Sequence, residues 1–395
     1  MKRFTRYIFP SLFVMILVIG GIMTVLTGLR SIGSSVSRGY KSMDGLSLPV
    51  KAKKLIGVTE SALNENFWGK DVYINGYGAL QKLQGKKIIE DLDPSYTVYK
   101  LTNNQLIFKP AVVDIARFSN NVISLNEFLV EKEIPFLYVQ VPYKYIRGYS
   151  SYPYHEYDPV NDYADSFVGN LKDNGIKVLN LRDLAISSDI ARSGMFFNTD
   201  HHWTTRTAFW AFSEIINELN RSFGFGMDTY YTDLGNYQVD TYPKSFLGSQ
   251  GRRTGPIYSG LDDYDLIYPK FPTSLDLEIQ VTNEKKKGDF GNTVLKKEYI
   301  ASVVQKYDIY WGVDYDKVTL TNENVQGKRI LIIKDSFGRP LSAFLSLAVH
   351  QMAMIDLRHY KASIKDYILE YKPDLVMVVY NSAQTAESSD LFRFD

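Results

Sequence analysis

The strongest pattern in the chain is a run without charge. From Tyr7 to Leu29 most positions are Ile, Leu, Val, Met or Phe. At ~1.5 Å per helical residue the run can cross a hydrocarbon core of ~30 Å. Lys2, Arg3 and Arg6 precede it, and Arg30, Arg38 and Lys41 follow it. A cleaved signal has a shorter apolar core of roughly 7–15 residues, so the pattern predicts an uncleaved N-terminal transmembrane helix. Ser35-Val36-Ser37 is the small-residue alternative for cleavage. Long C-terminal domains are exported largely regardless of flanking charge, which places the chain from about Ser31 onward outside the cell.

Ser31 to Val50 is Ser/Gly-rich and reads as a linker. Lys53 to Lys87 carries Trp68, Tyr73, Tyr77 and Leu80 at loose helical spacing, predicting one or two membrane-proximal helices. Tyr96–Tyr99 and Leu106–Phe108 read as strands around Asn103-Asn104. An alternation then begins. Val112, Ile115, Ala116, Val122, Leu125 and Leu129 form a helical stripe, and the largely apolar run Phe136–Val141 reads as a buried strand. A helix near Tyr163–Lys172 ends at Asn174-Gly175, and Ile176–Asn180 is the next strand. Thr204 or Thr205 can cap a helix with Ala208, Phe209, Phe212, Ile215, Ile216 and Leu219 on one face, closed by Gly224.

From Phe225 to Gln326 the pattern changes to Tyr, Asp, Gly and Pro with short alternating pieces, Leu275–Val281 and Tyr307–Val313. This predicts an inserted β-rich lobe, because a loop of that length without structure is uncommon. The alternation resumes with the strand Arg329–Ile333, a helix opened by Pro340, the strand Met352–Ile355, the helix Ile364–Tyr371 and the strand Leu375–Val379. Strands alternating with helices imply a parallel sheet covered on both faces. The predicted organisation is an anchor over 1–30, a linker and membrane-proximal segment over 31–111, an α/β domain over 112–224 and 327–395, and the lobe over 225–326.

Lys+Arg 45 against Asp+Glu 44 gives a net charge of +1, which makes no electrostatic case for nucleic acid as a partner. There is no cysteine, so disulfides, thiolate metal sites and thiol nucleophiles are excluded. The 29 Tyr and 22 Phe suit sugar binding, and they suit a large β-rich core equally well.

In open parallel sheets, sites lie beyond the carboxyl ends of the strands. Lys144, Ser336, Arg358 and Asn381 are polar groups at such ends. Ser336 stands between a buried strand and a helix, where backbone N–H groups can meet a developing oxyanion; the same position also suits a plain helix cap. The chain's richest chemistry is Asn198-Thr199-Asp200-His201-His202-Trp203, which holds two of its 5 histidines side by side. His202 is the candidate base for Ser336, and Asp200 can fix its tautomer. The alternative is a structural histidine beside a helix N-terminus. His201 is a neighbour of the base or a substrate contact. Metal binding by Asp200, His201 and His202 is disfavoured, since adjacent histidines rarely chelate one ion and the i,i+4 zinc spacing is absent; no metal or cofactor is expected. Asn381 can be an oxyanion donor or a turn residue. Lys144 and Arg358 can hold an anionic group or pair with nearby carboxylates.

Thr199-Asp200-His201-His202-Trp203-Thr204 resembles the signature of the DHHW family, and it is similar to the Asp-x-His-Trp element of alginate-type O-acetyltransferases. Lys334-Asp335-Ser336 resembles a degenerate Gly-Asp-Ser block, with Lys334 in place of the glycine and Arg358 near the place of a second block's glycine. The resemblance implies an SGNH-hydrolase-like (flavodoxin-like) fold, circularly permuted because Asp200 and His202 precede Ser336. It implies Ser336 as nucleophile, His202 as base, Asp200 as orienting acid and Asn381 as oxyanion asparagine, with Trp203 in the substrate-binding set. It implies a membrane-anchored, extracytoplasmic transfer of acetyl groups to a cell-surface polysaccharide, with a multipass membrane O-acyltransferase as donor partner. An esterase with the same triad and a non-catalytic glycan-binding or scaffold subunit remain the alternatives.

Overall fold

The structure, a computed structural model, describes residues 2–41, 43, 47–109, 115–188, 190, 194–383 and 389–394. It forms two compact units, Met1–Leu80 and Gln81–Asp395. The first unit is helical. Helix α1 (Lys2–Lys41) contains the apolar stretch, and among the described residues it is the one helix long and apolar enough to cross a membrane. It continues through Ser31–Lys41, where a linker was expected. The reason is tertiary. Helix α2 (Leu48–Glu65) folds back along α1, and the small residues of α1 let it approach. A Cβ on Gly39 would stand 2.6 Å from Val58, and one on Gly28 3.0 Å from Asn66. Helix α3 (Lys70–Leu83) carries the chain into the second unit.

The second unit opens with a small antiparallel sheet of β1 (Ile88–Ile89), β2 (Val98–Lys100) and β3 (Leu106–Phe108). The α/β elements follow: α4 (Ile115–Glu131), β4 (Phe136–Val141), α5 (Val160–Asp173), β5 (Val178–Asn180), α6 (Leu181–Ser187) and α7 (Thr205–Phe223). Val112 of the predicted stripe lies outside the described residues. Thr204 caps α7 by accepting from the Thr207 amide, and Gly224 closes it in the left-handed conformation, φ 63°.

Residues 225–326 supply β6 (Tyr237–Phe246), α8 (Ser249–Thr254), α9 (Pro256–Ser259), β7 (Asp262–Pro269), β8 (Leu275–Ile279), β9 (Glu284–Gly288), α10 (Phe290–Thr293) and β10 (Lys317–Asn322). β6 and β7 pair with each other, whereas β8, β9 and β10 join the main sheet. Tyr307–Val313, expected as a strand, is instead a 3-10 turn followed by one isolated bridge from Tyr310 to Leu295. Its alternating aromatics pack inward from a turn. The chain ends with β11 (Arg329–Lys334), α11 (Gly338–Leu345), β12 (Gln351–Ile355), α12 (Ile364–Tyr371) and β13 (Leu375–Asn381).

The main sheet runs β5-β4-β13-β11-β12-β10-β8-β9. The first five strands are parallel and the last three antiparallel. Successive side chains on a strand face opposite ways, and the packing follows that rule. Ile330 and Ile332 join the core under α7 and α11, while Leu331 and Ile333 join the one under α4, α5 and α12. Burial on both faces is why β4, β11 and β13 are predominantly apolar along their whole length.

Candidate active site

The Asp200 stretch folds as a tight hairpin. Thr204 N donates to Met195 O at 2.8 Å and Phe197 N to His202 O at 3.2 Å. Its tip is held from two sides. The buried Asp262 carboxylate accepts from the amides of Asn198 and Thr199, both at 2.7 Å, and from Thr199 Oγ1 at 2.6 Å. Lys144 Nζ donates to the carbonyls of Leu106, Asn198 and Asp200 at 2.6, 3.1 and 2.7 Å. Burial pushes the Lys144 amine down to about 7, with Asp262 and Asp200 pulling it back. Lys144 is therefore a clamp on the backbone of the Asp200 turn and is spent on carbonyls.

The turn aims His202 at Ser336. His202 Nδ1 lies 2.6 Å from Asp200 Oδ1, and Nε2 lies 2.7 Å from Ser336 Oγ. All three residues are buried. Burial resists the charge on Asp200, but His201 and His202 outweigh it and hold the carboxyl well below the usual range. An ionised carboxylate only accepts. Nδ1 must then carry the proton, which leaves the Nε2 lone pair facing the serine hydroxyl. Burial lowers His202 from its ordinary 6.5, with Asp200 opposing the shift. Asp200 is itself fixed by the amides of His202 (3.0 Å) and Ser249 (2.7 Å).

The imidazole is also held by its faces. Tyr307 stacks on one side at 3.7 Å and 14°, and the His201 ring lies 3.7 Å away. The Tyr307 hydroxyl donates to Ser336 O at 3.3 Å. His201 stands at the edge of the site with its side chain 44% exposed, and its Nδ1 meets Ser249 Oγ at 2.9 Å. Trp203 is buried and donates to Phe337 O at 3.1 Å, so it ties the hairpin to the serine turn and does not line an open surface.

The serine turn is shaped by Asp335, whose Oδ1 accepts from Phe337 N and Oδ2 from Asn381 N, at 2.9 and 2.7 Å. Burial raises Asp335 to about 7, while the Asn381 amide opposes. Lys334, standing where the resemblance expects glycine, is buried and pairs with Asp314 at 2.5 Å. The room it needs comes from Gly338, where a Cβ would meet Lys334 Cβ at 2.7 Å. Arg339 and Arg358 also pair with Asp314. Burial resists the Asp314 charge, yet these cations hold it well below the usual range.

Two expected substrate contacts have structural partners. Asn381 Nδ2 donates to Pro142 O at 2.7 Å and its Oδ1 accepts from Ala383 N at 2.9 Å. Arg358 binds Asp356 at 2.5 Å and Asp314 at 3.2 Å. Polar groups at strand ends serve catalysis or tie ends together, and the sequence pattern is the same for both. Residues that the pattern did not reveal include Gly248, Ser249, Asp262 and Tyr307, all in the 225–326 segment. A Cβ on Gly248 would fall 2.1 Å from Asp200 Cβ.

The metal-ligating atoms of Asp200, His201 and His202 lie within 4.8 Å of one another. Both ring nitrogens of His202 are nevertheless engaged, by Asp200 and Ser336, which is the arrangement for proton transfer. A cleft of about 310 Å³ opens beside Lys144 and Asn198, lined by Asn103, Gln105, Tyr149 and Ser150 among others.

The family model of the DHHW proteins matches residues 183–355. No curated protein matches the chain. Among solved structures, Bacillus cereus PatB1, captured with a sulfonyl adduct, aligns with a TM-score of 0.62 at 20% identity over 78% of this chain and 99% of its own. A DHHW family protein from Eubacterium siraeum aligns with a TM-score of 0.58 at 14% identity over 78% and 96%. The likeness to both is one of fold.

Proposed function

We propose, for a chain that carries the DHHW signature on a fold shared with PatB1, a serine-dependent O-acyltransferase working outside the cytoplasm on a cell-surface polysaccharide. One observation carries the reading: Asp200, His202 and Ser336 form an unbroken relay at 2.6 and 2.7 Å. His202 takes the Ser336 proton as Oγ attacks an acyl carbonyl, and returns it to the leaving group. An acyl-serine results. The acceptor sugar hydroxyl then gives its proton to His202 and takes the acyl group, restoring Ser336. The Ser336 backbone N–H, at a strand-to-helix turn, is the candidate oxyanion donor. The cleft beside Asn198 has amide, hydroxyl and aromatic groups suited to a sugar. The order of Asp200 and His202 before Ser336 supports a circularly permuted SGNH-hydrolase-like domain, and α1 supports single-pass anchoring. A multipass membrane O-acyltransferase is the proposed donor partner.

The test is covalent labelling with a sulfonyl fluoride, followed by intact mass and peptide mapping. Stoichiometric labelling at Ser336, lost in Ser336→Ala and slowed by orders of magnitude in His202→Ala, is expected. Unlabelled wild type would leave only the scaffold reading. Acetyl-ester hydrolysis with no transfer to any offered glycan would make the protein an esterase, since transfer and hydrolysis differ in how water is kept out.

A further inference from the structure

Among the described residues, helix α3 presents an open apolar face. On α3, Val72, Tyr73, Tyr77, Leu80 and Leu83 are all exposed, Val72 and Leu83 by 74% and 85%. At helical periodicity these positions and Gly76 fall in one arc, with Asp71, Asn75 and Lys82 on another side. This is a helix with one apolar face open.

Its position along α1 identifies the occupant. The Trp68 amide donates to Thr24 Oγ1 at 2.9 Å, and Phe67 packs over Gly20. The start of α3 is thus tied to the level of Thr24. Along α1, Arg6 to Thr24 spans about 27 Å at ~1.5 Å per residue, close to a hydrocarbon thickness of ~30 Å. With Lys2, Arg3 and Arg6 at one membrane–water boundary, Thr24 and Trp68 stand at the other. Trp and Tyr are the residues enriched at that level; Trp68 stands there, and Tyr73 and Tyr77 are exposed on the helix that leads away from it.

We infer that α3 is an interfacial helix, lying on the outer leaflet with its Val72–Leu83 face in the acyl boundary. The lipid surface is the occupant of the open face. The α1–α2 hairpin sets the depth, and α3 gives the chain a second hold on the membrane before it enters the catalytic unit. The inference rests on α1 spanning the bilayer and is independent of the chemistry at Ser336.

The absence of cysteine allows a direct test on the full chain. Val14→Cys, Asp71→Cys, Val72→Cys and Tyr77→Cys are each nitroxide-labelled and reconstituted in phosphatidylcholine/phosphatidylglycerol vesicles. Collision rates with oxygen and with a water-soluble nickel chelate report immersion. The expected result is that labels at 72 and 77 favour oxygen, as does 14, while 71 favours nickel. Nickel access at 72 and 77 equal to that at 71, with 14 immersed, overturns the interfacial helix and leaves the anchor intact. Nickel access at 14 as well removes the anchor and the inference together.

Discussion

Gly248→Ala isolates a steric requirement behind the relay. Gly248 has φ −77° and ψ −172°, a conformation open to any residue, so alanine brings no backbone strain. The methyl group, however, would sit 2.1 Å from Asp200 Cβ and 2.5 Å from Asp200 Cα. Ordinary contact begins near 3.4 Å, so Asp200 or the Gly248 segment must move by about 1.3 Å. If Asp200 takes half of that along the bond, Oδ1···Nδ1 grows from 2.6 Å to beyond ~3.2 Å, the edge of a sound hydrogen bond. Misplacement on the order of 1 Å costs about 10²-fold in rate, and complete loss of the orienting acid about 10⁴-fold. Overpacking should cost about 1–3 kcal/mol of stability. The assay is the second-order rate of sulfonyl fluoride labelling at Ser336, alongside a denaturant melt. A folded Gly248→Ala that labels within about threefold of wild type would refute the claim that Asp200 needs this glycine.

Asp200→Asn should lower the labelling rate by about 10³- to 10⁴-fold with the fold intact, because the amide stabilises the wrong imidazole tautomer. Wild-type labelling should hold as pH falls to below 6.5, since burial depresses His202 and only the neutral ring is a base; Asp200 raises that pKa, so Asp200→Asn should move the acid limb lower still, and a limb at or above 6.5 in wild type would show that Asp200 outweighs burial. Tyr307→Phe keeps the stacked face and should stay close to wild type, whereas Tyr307→Leu should lose about 0.5–1.5 kcal/mol of ring packing, roughly 2- to 10-fold in rate; equal rates for the two would show that the stacking is idle. Lys144→Met should destabilise by about 1.5–3 kcal/mol, the range for hydrogen bonds made by a charged group, and a melting temperature within about a degree of wild type would show the carbonyl clamp to be dispensable.

Much of the fold was legible for a simple reason. β4, β11 and β13 are buried on both faces, so each is a predominantly apolar run that needs no partner to be identified. α7 declares itself by periodicity and caps. The reach of α1 to Lys41 was not legible, because Ser and Gly predict a linker until a second helix packs on them. The 225–326 segment was legible only as β-rich: nothing local says that β8, β9 and β10 extend the main sheet.

The sequence by itself determined the chemistry on offer: one serine after a buried strand, a histidine pair beside an aspartate, and an apolar run long enough for a bilayer. Those are properties of single residues and their near neighbours, and they survive without coordinates. Tertiary structure decided which of them meet. It set Ser336 and His202 at 2.7 Å across 134 positions of chain, stacked Tyr307 on the imidazole, and gave Lys144, Arg358 and Asn381 partners within the protein. A polar side chain at a strand end has the same local pattern whether it binds substrate or caps a carbonyl, and only the atoms that folding brings opposite it settle which.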